Sequence, residues 1–112
     1  MAPDIYYTIY LPDRNAVRFD ELEPALSAAM RQGGIDRIII RAHTDSVGAE
    51  ADNLALSRRW ANDLKDWIIA RGIPASIIEA EGFGESQPME ALPDETPSLM
   101  NQRIEVEIRF GG

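Results

Sequence analysis

The spacing of apolar residues along this chain switches between a period of two and a period of about 3.6, the marks of strand and helix. Ile5, Tyr7, Ile9 and Leu11 share one face, with Tyr6, Thr8 and Tyr10 on the other, so Ile5 to Leu11 reads as a strand. Pro12-Asp13-Arg14-Asn15 then forms a turn cluster. Asp20, with Glu23 three residues on, has the spacing of a capping box. Leu22, Leu26, Ala29 and Met30 fall on one helical face, and Gly33-Gly34 ends that helix. Ile35 to Ala42, with three consecutive isoleucines, predicts a central strand covered on both faces. Asp52 or Asn53 is placed to cap a second helix, whose stripe is Leu56, Trp60, Leu64, Trp67 and Ile68 and whose stop is Gly72 before Pro74. Ser76 to Glu81 reads as a third strand. The last strand alternates cleanly, Ile104, Val106, Ile108 and Phe110 inward, Arg103, Glu105, Glu107 and Arg109 outward. The order β-α-β-α-β-β predicts an α+β two-layer sandwich, with both helices on one face of a mixed four-stranded sheet.

At 112 residues the chain fits a single domain, 1–112. A net charge of −8 argues against nucleic acid or an anionic membrane as partner, since both require clustered positive charge. Lys65 is the only lysine; the other basic residues are arginines, whose planar fork suits carboxylates. The absence of cysteine excludes disulfides and thiolate metal sites. No apolar run reaches the roughly 20 residues needed to span a bilayer, so membrane insertion by this segment is not expected. The Met-Ala-Pro start shows no signal-peptide pattern. With Gly111-Gly112 just after a strand, it leads to the expectation that the segment comes from a longer protein.

Candidate chemistry concentrates between Arg41 and Ala61, in R-A-H-T-D-S-V-G-A-E-A-D-N-L-A-L-S-R-R-W-A. One short loop, between a strand and a helix, collects Thr44, Asp45, Gly48 and Asn53. This segment resembles the signature of the OmpA-like domain family, roughly G-H-T-D-x-x-G, four residues, N, two residues, L-S-x-x-R-A. Two further stretches resemble the family in the same order: G-I-P-A-S-I-I-E-A-E-G-F-G-E-S-Q-P, and Asn101 to Val106 against N-R-R-V-E. The resemblance implies a non-catalytic periplasmic module of an envelope-anchored protein, associating with the peptidoglycan stem peptide without a cofactor.

It also implies roles for single residues. Asp45 stands where the family's aspartate holds the ammonium group of diaminopimelate, a task that suits an acceptor-only carboxylate. Thr44 and Asn53 stand in the same loop, where Asn53 orients the backbone or meets the ligand. The family arginine that grips the ligand's carboxylate falls at Trp60. Arg59 is adjacent, but one helical step turns a side chain by about 100°. A second family arginine falls at Gln102, leaving Arg103 in the following, more often structural, position. A third basic position falls at Ser98, and a loop asparagine is replaced by Leu92. The pocket therefore keeps its anionic half and departs from the family at Trp60, Ser98 and Gln102. Trp60 lies on the helix stripe, so a buried aromatic is the ordinary expectation. At the pocket edge it would either fill the vacated space beside Asp45, in part or whole, or offer an exposed apolar site to a partner, and of these two filling is favoured.

Other chemistry is thin. His43 and Asp45 point the same way in an extended segment, but a third metal ligand is missing. Ser57 has neither a base nor a nucleophile elbow. Glu81, Glu85 and Asp45 are too dispersed for an acid–base pair. Gly82-Phe83-Gly84 precedes no helix, so its glycines are read as permitting a tight backbone path. Three functions stay open: a cell-wall binding domain with an altered pocket; a degenerate OmpA-like domain acting as an interaction module with envelope proteins in a secretion, conjugation or motility complex; and, more distantly, a binder of amines without a carboxylate clamp.

Overall fold

The alternating segments pair into one sheet in the computed structural model, which describes residues 2–111. Its strands are β1 (Ile5–Tyr10), β2 (Ile35–His43), β3 (Ile78–Gly84) and β4 (Arg103–Phe110), in the spatial order β1-β4-β2-β3. β4 runs antiparallel to both β1 and β2, whereas β2 and β3 are parallel. A parallel pair needs a crossover, supplied by the helix α2 (Glu50–Ile69). The other helix, α1 (Glu23–Gln32), links β1 to β2 and completes the predicted β-α-β-α-β-β order. Ile9, Ile38, Ile40, Ile104, Val106 and Ile108 of the strands join one buried cluster with Leu26, Ala29, Trp60, Leu64 and Ile68 of the helices. Both helices thus cover the same face of a mixed sheet, as the α+β reading predicts.

Element ends differ from the sequence reading in informative ways. Asp20 caps nothing: it opens a 3₁₀ turn, Asp20–Leu22, and α1 starts after Leu22 with Pro24 in its first turn. Neither Asp52 nor Asn53 caps α2, which starts at Glu50 after an extended Ala49. The third strand begins two residues later than expected, behind a 3₁₀ turn at Ala75–Ile77, and runs on through Gly84. The outward face of β4 is more closed than alternation alone implies. Arg103 and Glu107 are buried there, as is Ile39 of β2, because β4 is flanked on both sides. Glu107 accepts hydrogen bonds from Arg109 and, secondarily, Arg41, which hold its carboxyl below the usual carboxylate range against the effect of burial. Met1 and Gly112, on which the reading of the chain's ends partly rests, lie outside the described residues.

Candidate binding site at the end of β2

The site begins where β2 runs out. A bulge between Ala42 and His43 shifts the pairing with β3, and the Thr44 N–H then donates to the Gly84 carbonyl at 2.9 Å. This carries Thr44 and Asp45 out over the N-terminus of α2. Glycines make the approach possible. A Cβ on Gly82 would lie 2.3 Å from the Arg58 nitrogen, and Gly84 adopts φ +57 with Leu54 at 3.0 Å from its would-be Cβ. The α2 backbone therefore rests directly on β3. Ser57 serves this contact, accepting from the Gly84 N–H at 2.8 Å and donating to the Leu54 carbonyl at 3.0 Å.

Asn53, in the first turn of α2, is 1% exposed. Its amide nitrogen faces the carbonyls of Val47 at 3.0 Å and Asp45 at 3.3 Å, and Glu85 Oε1 at 3.0 Å. It therefore closes the loop from the helix side. The side chain of Asp45, also buried, is held from three loops. Its Oδ1 accepts from the Val47 N–H at 3.1 Å and from an Arg14 Nη; its Oδ2 accepts from the Ser98 N–H at 3.2 Å. Arg14 comes from the loop between β1 and α1. It donates further to Asn53 Oδ1 at 2.9 Å and, through Nε, to Gln102 Oε1 at 2.7 Å. Gln102 in turn donates to the Leu11 carbonyl at 2.6 Å, and the Leu11 N–H donates back to Gln102. A cleft of about 210 Å³ lies alongside, lined by Leu11, Pro12, Asp45, Pro97, Ser98, Leu99 and Gln102. A second, of about 400 Å³, opens on the other side of the loop between Thr44, Ser46, Glu85, Glu90, Leu92 and Asp94.

The family model described as "OmpA family" matches residues 14–98. The chain belongs to the OmpA family. It is 34% identical over 83 residues to outer membrane porin F of Pseudomonas fluorescens, a match covering 74% of this chain and 26% of that porin. The chain thus spans about a quarter of that relative's length. The fold is similar to that of the OmpA-like domain of FopA1 from Francisella tularensis, with a TM-score of 0.76 at 15% identity, covering 97% of this chain and 77% of that one. It is likewise similar to the peptidoglycan-associated lipoprotein of Burkholderia pseudomallei, with a TM-score of 0.70 at 21% identity, covering 91% and 89%.

Against the OmpA-family signature, the structure brings Thr44, Asp45, Asn53, Ser98 and Gln102 together and sends other candidates elsewhere. Trp60 does not fill the space beside Asp45. It is 2% exposed and belongs to the core cluster, facing the sheet with Leu64 and Ile68. The side chain that does reach Asp45 is Arg14, which sequence reasoning passed over as part of a turn. Arg59 is exposed beside Trp60. Arg103 spends its donors on Glu105 Oε2 at 2.9 Å and on the carbonyls of Asn101 at 2.9 Å and Gln87 at 3.2 Å. It pins the long β3–β4 loop to β4. Within that loop, Ser98 Oγ donates to Glu90 at 2.6 Å and accepts from the Asn101 N–H. Glu95, at φ 60, accepts from the Gly48 N–H at 3.1 Å. Leu92 is exposed on the rim of the larger cleft.

His43 is 2% exposed and stacks on Phe83 with ring centroids 5.2 Å apart. Burial lowers its pKa to about 4; the charge of Arg103 pushes the same way, Glu105 opposes and Arg41 adds to the lowering. The ring is therefore neutral at pH 7, and Glu105 at 3.8 Å is a neighbour, not an ion-pair partner. Among the described residues no group of three or more His, Cys, Asp or Glu is placed to hold a metal ion. Nor is any of their helices long and apolar enough to cross a membrane.

Proposed function

We propose that this chain, residues 1–112, is a single OmpA-like domain of a periplasmic, envelope-anchored protein, and that it associates non-catalytically with the peptidoglycan stem peptide through a modified pocket. Family membership supports the cell-wall reading. The observation that supports it is that Asp45 lines an open cleft at the end of β2, while Asn53, buried behind it, fastens the carbonyls of the Asp45 loop. Asp45 is the group that receives the ammonium of diaminopimelate, and Asn53 keeps its loop in shape. Positions 60, 98 and 102 carry no positive charge, and the cation that reaches the pocket, Arg14 from a different loop, is engaged by Asp45.

The test is a titration of a diaminopimelate-containing muropeptide into isotope-labelled protein. The expected result is saturable shifts of the Val47 and Ser98 amides, lost in Asp45→Ala. Silence at millimolar peptide overturns cell-wall binding. A second reading then applies, an interaction module for other envelope proteins. What favours it is the row of exposed apolar side chains on the β3–β4 loop, Met89, Leu92, Leu99 and Met100.

A further inference from the structure

We infer that Arg14 is a tethered cation standing in the place where this pocket would receive a ligand's cation, and that it thereby sets what the pocket admits. Three acceptors from separate parts of the fold converge on its guanidinium: Asp45 Oδ1 from the loop after β2, Asn53 Oδ1 from α2, and Gln102 Oε1 from the residue before β4. Three carbonyl or carboxylate oxygens around one hollow make a site for a planar, multi-donor cation. With Val47 and Ser98 also donating, three of the roughly four acceptor positions of Asp45 are taken.

Gln102 is matched to this arrangement. Its amide oxygen receives Arg14 while its amide nitrogen fastens the Leu11 carbonyl at the root of the Arg14 loop. An arginine at 102 has no acceptor to offer and would repel the guanidinium. Arg14 and Gln102 thus act as a pair that latches the β1–α1 loop onto Asp45. A ligand ammonium can take the guanidinium's place on Asp45 Oδ1 only after Arg14 withdraws, and its affinity there is scaled down to the fraction of molecules in which the latch is open. The apolar flank of the smaller cleft, Pro12, Pro97 and Leu99, stays accessible in the latched state.

This rests on the cell-wall reading only for the identity of the ligand, so two probes separate the two ideas. The first is ethylguanidinium, read at the Val47 and Ser98 amides. Arg14→Ala is expected to bind it saturably at millimolar concentration, wild type to stay silent, and Arg14→Ala combined with Asp45→Asn to lose the response. An indifferent Arg14→Ala protein, or an equally responsive wild type, overturns the inference. The second probe is the muropeptide, for which Arg14→Ala is expected to bind about tenfold tighter than wild type. Weaker binding by Arg14→Ala overturns the inference and makes Arg14 a ligand-gripping group, leaving the cell-wall function intact. If ethylguanidinium binds Arg14→Ala but no protein binds the muropeptide, the latch stands and the cell-wall function falls. Arg14→Gln, which keeps a polar side chain but removes the guanidinium and its charge, carries the same measurements should Arg14→Ala fail to fold.

Discussion

His43 gives one ring a large share in the pH response of this protein. Its folded pKa, about 4, lies below the ordinary 6.5, so between those values the unfolded chain binds more protons than the folded one. The stabilising effect of the neutral ring is fully present above pH 6.5 and is lost as pH falls toward 4, by about 3 kcal/mol at most. Urea unfolding at a series of pH values should show this loss, and His43→Asn should flatten that part of the profile; an unchanged slope would sink the assignment. Glu107, whose carboxyl is held low by Arg109 and Arg41, adds a further loss at lower pH, in the same direction. At this scale the sequence disclosed Asp45 and Asn53 through the loop that carries them. It concealed Arg14, which is 31 positions from Asp45 and sits among turn residues. The available clue was indirect: three cationic positions were empty around one pocket, while an arginine stood in a turn that requires none.

The contact between α2 and β3 makes Gly82 a demanding position. Gly82→Ala would place a methyl group 2.3 Å from the Arg58 nitrogen and 2.6 Å from the Ser57 carbonyl carbon, both backbone atoms that cannot swing aside. The expected cost is about 3 kcal/mol, read from thermal or urea unfolding. Because α2 must move to relieve the clash, the amides around Asn53 and Asp45 should shift as well. A variant with wild-type stability would show that the helix is not fixed by this contact. The existence and order of all six elements were legible, because each presents a sustained apolar period to one core. Their ends were not, since they depend on what packs nearby. Glycines at 82 and 84 read locally as loop, yet they lie within β3 because a helix backbone needs the room. Asp20 and Asn53 have the chemistry of caps, but Asp20 opens a 3₁₀ turn, and Asn53 lies inside α2 with its side chain turned back to the preceding loop.

For the molecule as a whole, one cluster joins β1, β2, β4 and both helices, with Trp60 inside it. Unfolding should therefore be a single cooperative event, with tryptophan fluorescence and far-ultraviolet dichroism tracing coincident curves. Separate transitions would show that the chain is not one unit. The legible part at this scale was the layer architecture; the order of strands in the sheet was not, because period-two patterning says which face a strand buries and nothing about its neighbours. That order matters in time as well as in space. β4, last to be synthesised, lies between β1 and β2 and pairs with both. Until Phe110 has left the ribosome, β1 has no partner in the sheet and β2 has only β3. An emerging chain consequently carries open strand edges until β4 arrives, the period in which a holding chaperone or a neighbouring nascent chain has its opening.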